Sequence, residues 1–372
     1  MEKSAFIRIN NAKGGPQQFK EVTEIKVLGV ILSGQWSWII KHNFDKLIKD
    51  IQFRLNLHKS RNLNLIQRTW LVNIFVLSKL WYICQVFPPN NQHIAKLLKV
   101  VGKFIWGPKQ IFKVERNQLY LDFEKGGIKL IDIESKAKAL FIKNVLNLDG
   151  DPNSEDLVLL NHPKVQCLGR NTKEWVELAL RVKDNPVLNS VKLLYSYFVD
   201  ERKICPKIEN VFPNVMWENI WENLSHGFIP SDCKSQMFLL YNDLIISKDK
   251  LMKYNIGRLS TNICEYCQIV ESNKHILTQC VRTLSIRTWL ANTLEERVRI
   301  KVDDPEEILS FKIDTKNKRH KAAMWLTMFT YTYILSSYPN CSLFVLKKNI
   351  RETRWNSRKF FQNCFGNWLN IE

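Results

Sequence analysis

The sequence predicts a mainly α-helical protein with a small β-hairpin region at its N-terminus. Three observations carry this. Apolar residues recur at three- and four-residue spacing through most of the chain, the period of a one-sided helix. Two short runs rich in β-branched residues, Phe6–Ile9 and Ile25–Leu32, bracket a Gly-Gly-Pro turn at Gly14–Pro16. Finally, 45% of the 372 residues are hydrophobic, with 12 Trp and 20 Phe, which is enough apolar surface for packed cores and too much for a disordered tail.

The elements follow in order. Trp36 and Trp38 lead into a helix expected over 39–58. Phe44, Leu47, Ile48, Ile51 and Leu55 mark its inward face. Lys41, Lys46, Lys49 and Arg54 face outward, with Lys59 and Arg61 just beyond. A second helix, over 63–86, is apolar nearly all round, which predicts a central position; Pro88-Pro89 stops it. Trp36, Trp38 and Trp81 read as core residues rather than platforms for stacked bases. A third helix, over 91–106, turns Ile94, Leu97, Leu98, Val101, Phe104 and Ile105 inward and Lys96, Lys99 and Lys103 outward, and ends at Gly107-Pro108. Gly126-Gly127 precedes an Ile-Lys-Leu-Ile-Asp run and another helix. The polar, acidic stretch 148–163 reads as a linker. Further helices are expected near 172–183, 187–200, 214–224, 232–255, 283–298 and 318–337, and no internal repeat is visible.

Charge is distributed unevenly along the chain. The net charge is +19, and a protein this basic usually meets a polyanion, with nucleic acid the leading candidate because Lys and Arg displace its counterions. Residues 1–120 hold 19 Lys and Arg against 6 Asp and Glu, a surplus of 13, whereas the other 252 residues hold a surplus of 6. The expected partner is therefore an RNA or DNA backbone, met mostly by the N-terminal third. A basic run near the C-terminus (Lys347, Lys348, Arg351, Arg354, Arg358, Lys359) reads either as a second phosphate contact or as a solvated helix face. Two apolar stretches, Trp70–Phe87 and Ala322–Leu346, carry polar interruptions (Asn73 and Lys79; Thr, Ser and Pro339) and read as buried core helices, so no membrane partner is expected. Met1–Asn10 is polar and charged, unlike a secretory signal, and nine Cys mostly scattered through apolar segments read as free thiols of a reducing compartment.

The sharpest local signal is Cys264-x2-Cys267-x7-His275-x4-Cys280. A Cys-x2-Cys turn can put two sulfurs on one ion, and a His and a Cys five residues apart can complete a tetrahedron. Such a site has no open position, so it is expected to hold structural Zn2+. The retroviral zinc knuckle has a tighter, Gly-containing spacing, and direct base reading is not expected here.

Several segments together resemble one family. Ile25-Lys26-Val27-Leu28-Gly29-Val30-Ile31-Leu32, followed by Trp36-Ser37-Trp38, resembles the Leu-Gly hairpin and following Trp of non-LTR (LINE-type) retrotransposon reverse transcriptases, where that hairpin is the primer grip; Leu28 and Gly29 would be its counterparts. Leu77-Ser78-Lys79-Leu80-Trp81-Tyr82 with Pro88-Pro89 resembles the thumb helices, and Phe104-Ile105-Trp106-Gly107 and Glu124-Lys125-Gly126-Gly127-Ile128 continue the likeness. Cys264–Cys280 looks like the family's C-terminal zinc site, preceded by a helical segment at Met237–Leu259. The likeness covers residues 1–145 and 235–290, in the family's order. It implies a helical thumb-like bundle and a helical zinc-binding domain: 1–38 as the end of the palm with the hairpin, 39–147 thumb-like, 148–165 linker, 166–255 helical connector, 256–300 zinc-binding and 301–372 C-terminal helices.

The resemblance also implies what the chain lacks. Phosphoryl transfer in these polymerases needs metal ions held by palm aspartates, and the family's signature is an aromatic-Ala-Asp-Asp hairpin. The only adjacent pair here, Asp303-Asp304, lies before Pro305 in a polar stretch, so no Mg2+ site is expected. Glu2-Lys3-Ser4-Ala5-Phe6 resembles the motif just after that hairpin, which makes Lys3 at most a vestige of the proton donor to pyrophosphate. The isolated chain is thus not expected to be an enzyme, whether it is a fragment, a truncated insertion or a reused host protein. The family acts on chromosomal DNA by target-primed reverse transcription, which implies a nuclear location. A reading from another class is a zinc-stabilised protein-interaction scaffold with no nucleic-acid partner.

Overall fold

The computed structural model describes residues 5–8, 19–148, 170–182, 185, 188–200, 206–211, 213–300 and 313–366. Lys3, the Gly14–Pro16 turn, all but the first residue of the 148–165 linker, and Asp303-Asp304 lie outside them. The described chain is mainly helical, with two small two-stranded sheets near the N-terminus, as the periodicity predicts. Contacts divide it into two units. One holds Met1–Leu63, Arg68–Gly107 and Leu130–Ile204; the other holds Asn64–Gln67, Pro108–Lys129 and Cys205–Glu372.

In the first unit, β1 (Ala5–Phe6) runs parallel to β2 (Lys20–Glu21). β3 (Glu24–Val27) pairs antiparallel with β4 (Val30–Ser33), in the register Glu24↔Ser33 to Val27↔Val30. Leu28 and Gly29 both take left-handed backbone, φ 49° and 88°, the conformation that lets a two-residue turn match the twist of its strands. The hairpin rests on α1 (Trp36–Leu57) through Asn43, which is buried. Its amide donates to Ile31 O at 2.8 Å and its oxygen accepts from Ile31 N at 3.0 Å, so one side chain pairs with β4 as a neighbouring strand would. The expected inward residues of α1 are all buried.

The segment expected as one central helix over 63–86 is instead α2 (Leu65–Leu71), a π-turn at Val72–Val76 and α3 (Ser78–Val86), bent by 46°. It is not buried all round either. Val72, Val76, Leu77, Leu80 and Cys84 face the core, while Trp70, Ile74 (62% exposed) and Phe75 (66%) face solvent. The wider π-turn shifts the phase of the helix, and this stretch has more apolar residues than inward positions. Asn73 explains its place within it, for its Oδ1 accepts from Ile131 N at 3.0 Å.

α4 (Asn91–Trp106) forms where expected, capped by the Asn90 side chain accepting from His93 N. α6 (Ile133–Leu148) packs against α3, α7 (Arg170–Val182) and α8 (Val191–Asp200). Phe141 meets Trp175, and Tyr195 Oη accepts from Asp132 N. These contacts place α7 and α8 with α6 in the first unit.

The second unit holds α5 (Arg116–Tyr120), α9 (Lys207–Val211), α10 (Trp217–Ser225), α11 (Ser231–Tyr241), α12 (Lys248–Lys253), α13 (Val281–Thr293), α14 (Lys318–Ser337), α15 (Leu343–Asn356) and α16 (Arg358–Phe365). Its core gathers around α14, where Ala322, Met324, Trp325, Leu326, Met328 and Ile334 are buried, as expected of a core helix. The helix expected over 232–255 breaks after Tyr241, because Asp243 takes left-handed backbone and the loop's carbonyls at Asp243 and Ile245 accept from the buried Lys250 ammonium. Gly127 is required by closeness: a Cβ there would lie 2.0 Å from Leu121 O. Among the described residues no single helix is long and apolar enough to cross a membrane; the bent pair 65–76 and 78–86 passes on length and composition alone.

Candidate metal centre and basic faces

The metal site starts from a tight hairpin. An isolated bridge joins Ile263 to Val270, Cys264 N donates to Ile269 O, and Gln268, with φ 60°, turns the chain so that its N–H reaches Cys264 O. This holds Cys264 and Cys267 over one point. His275 opens a π-turn (His275–Gln279), its N–H donating to Ser272 Oγ at 3.1 Å. Cys280 ends that turn and caps α13. The ligand atoms of all four residues lie within 4.8 Å of one another.

Two measures test whether an ion fits. Cys264 Sγ and Cys267 Sγ lie 4.0 and 3.8 Å from Cys280 Sγ. Two sulfurs on one tetrahedral zinc, each about 2.3 Å from it, stand about 3.8 Å apart. His275 is 1% exposed, and neither ring nitrogen has a hydrogen-bond partner. A buried imidazole left so is costly unless a nitrogen is a ligand. The four expected residues are therefore brought together, and they can hold a metal ion.

Around them stands a shell that the sequence did not reveal. Tyr338, just past α14, puts its hydroxyl 3.3 Å from Cys264 Sγ and 3.6 Å from Cys280 Sγ, and 3.2 Å from Glu271 Oε2. Glu271 is itself buried and pairs with Lys248 Nζ at 3.5 Å. Burial and the two thiols push Tyr338 well above the usual phenol value, so it remains a donor. At Cys264 burial works against the thiolate, but hydrogen bonds from Tyr338 and the Tyr266 N–H outweigh it and bring the thiol down to about 6. Burial pushes Cys280 up. Arg287 braces the ligand turn, its guanidinium donating to the carbonyls of Thr278 and Cys280. The cluster offers four ligands and no open position, which suits a structural rather than a catalytic ion. Tyr338 lies 58 residues past Cys280, beyond the reach of any local pattern.

The nine expected phosphate contacts lie in the first unit. Lys41, Lys46, Lys49, Lys59, Arg61, Lys96, Lys99 and Lys103 are exposed and Arg54 is half-buried. At about 100° per residue, Lys96, Lys99 and Lys103 form one stripe on α4, whereas the basic residues of α1 are spread around its whole exposed arc. Lys96 is partly engaged with Asp45 at 3.3 Å, and Asp45 also meets the buried His93 at 3.4 Å. Burial works against the Asp45 carboxylate, but Lys96 and His93 hold it below its usual range.

Leu28 and Gly29 stand at the rim of a groove of about 510 Å³ between the hairpin, α1 and α3, also lined by Lys26, Lys46, Asp50 and Lys79. Tyr82 Oη donates to Leu28 O at 2.8 Å and ties the turn to α3. Charge and spacing do not single out Lys26, Lys79 and Tyr82, since only the packing of the hairpin, α1 and α3 sets them and Lys46 around one groove. Trp38 and Trp81, expected in the core, are half-buried, and Trp38 stacks on His42. The C-terminal basic run falls on α15 and α16. No protein-family model matches the chain, and no curated protein matches it.

Proposed function

We propose that this chain is a zinc-stabilised, nucleic-acid-binding segment similar to the C-terminal part of a non-LTR retrotransposon reverse transcriptase, holding an RNA or DNA backbone without polymerising it. The observation that carries this reading is the groove beside the Leu28-Gly29 turn, lined by Lys26, Lys46 and Lys79, with Asp50, 3.9 Å from Lys79, the lone carboxylate. Such a site grips phosphates and reads no sequence. The α4 stripe Lys96, Lys99 and Lys103 extends the same chemistry. Zn2+ is the ion that three thiols and an imidazole suit, and held by Cys264, Cys267, His275 and Cys280 it would supply folding energy to the second unit. The family's chromosomal target makes the nucleus the proposed location.

The test is a mobility shift with the full chain at rising salt. Affinity is expected to fall steeply, in proportion to the phosphates neutralised, and Lys26→Glu/Lys46→Glu/Lys79→Glu is expected to flatten that slope. Binding indifferent to salt, or none at low salt, sinks the proposal. A protein-interaction scaffold is the second reading, favoured by the exposure of Trp70, Ile74 and Phe75 on the bent helix. It predicts partner capture that survives nuclease treatment and is abolished by Ile74→Asp/Phe75→Asp.

A further inference from the structure

The solvent face of α15 carries an arrangement that the groove does not explain. Residues 343–366 hold six Lys and Arg and a single carboxylate, Glu352. Leu346 and Ile350 are buried and fix one side of α15 against the core. At about 100° per residue, Phe344, Lys348, Arg351 and Trp355 fall within roughly 60° of one another on the opposite side, along about 16 Å of helix. Phe344 is 76% and Trp355 77% exposed. Lys348 meets only Glu352, at 3.8 Å on the open surface, a pairing worth little in water. Arg358 and Lys359 follow at the start of α16, both exposed.

Rings and cations therefore share one exposed line, with Phe344 and Trp355 at its ends and Lys348 and Arg351 between them. A helix that lies on a membrane separates them, with rings on one face and cations on the other. Here the opposite face is already in the core, and the outward line is mixed. Mixed rings and cations suit a strand whose bases are free to stack and whose phosphates run beside them. A duplex keeps its bases stacked inside and offers the rings nothing.

We propose that this face of α15 binds single-stranded nucleic acid, with Trp355 and Phe344 stacking on bases and Lys348, Arg351, Arg358 and Lys359 meeting the intervening phosphates. The inference rests on the nucleic-acid-binding reading but assigns a separate surface, in the second unit, and a separate form of the polymer.

The test uses the zinc-loaded full chain with two labelled probes, an oligo-thymidylate and a blunt DNA duplex, and with phosphatidylserine vesicles as a third arm. Trp355→Ala is expected to weaken oligo-thymidylate binding about tenfold and leave duplex binding unchanged, while Trp355→Phe keeps most of the affinity. Because Trp355 is exposed, zinc content and circular dichroism should match wild type. If Trp355→Ala changes neither probe, or weakens both alike, the stacking site is refuted. Vesicle binding that depends on Trp355 without oligonucleotide binding also refutes it. If Lys26→Glu/Lys46→Glu/Lys79→Glu abolishes duplex binding while Trp355→Ala is silent, the groove stands and this inference falls; the reverse pattern keeps this inference and overturns the groove.

Discussion

The Tyr338 hydroxyl, with one proton to give, lies within reach of two cysteine sulfurs and a buried carboxylate, and so joins the candidate metal ligands to the end of the core helix α14. A donor beside a metal-bound thiolate spreads its charge and orients it. Tyr338→Phe keeps the ring and removes that donor; zinc affinity, measured by competition with a chromophoric chelator, is expected to drop about tenfold. Lys234 offers a second test at the same scale. Burial, helped by the nearby charge of Lys129, lowers its ammonium from 10.5 to about 8, while its Nζ donates to Ser225 O. The folded state then holds fewer protons than the unfolded chain between about 8 and 10.5. Stability contributed through this group therefore rises with pH across that window and carries a constant penalty below it. Denaturation midpoints measured from pH 8 to 10 should climb in the wild type and climb less in Lys234→Met.

The hairpin β3–β4 shows how an element can be placed by one side chain. Two of the Asn43 hydrogen bonds reach Ile31, and a third goes to Ile39 O within α1. Asn43→Ala leaves Ile31 N and Ile31 O without their partner, at a cost of roughly 1–3 kcal/mol for the pair. Urea unfolding should show that loss. Salt-dependent nucleic-acid binding should weaken as well, because Lys26 and Leu28 line the groove from this hairpin. A variant that loses stability but binds normally would separate the hairpin from the groove's function. The π-turn at Val72–Val76 acts at the same scale, turning Ile74 and Phe75 outward from a stretch whose composition is that of a buried helix.

At the scale of the molecule, the Cys-His cluster brings the short hairpin around Cys264 together with the turn that precedes α13. The hairpin around Cys264 has one isolated bridge, and the His275–Gln279 turn is a single π-turn. Removing the ion with a chelator is expected to lower the melting temperature, with the change largest in the second unit by hydrogen exchange, and re-added zinc should restore it. Cys264→Ser should melt as the chelated wild type does, with less than one bound zinc per chain.

The features that the sequence determined alone are those written within a few residues of each other. Helix period fixes the inward faces of α1 and α4, a Cys-x2-Cys turn and a nearby His and Cys announce four side chains close enough to hold an ion, and a Leu-Gly pair between β-branched runs announces a tight turn. The tertiary structure decided what depends on partners distant along the chain. It bent the 63–86 helix and left Ile74 and Phe75 outside, packed α7 and α8 on α6, brought Tyr338 to the sulfurs and set Lys79 and Lys26 on one groove. Apolar periodicity reports that a residue wants burial. Whether the space is available is settled only when all the other segments have packed, and that is not a local property.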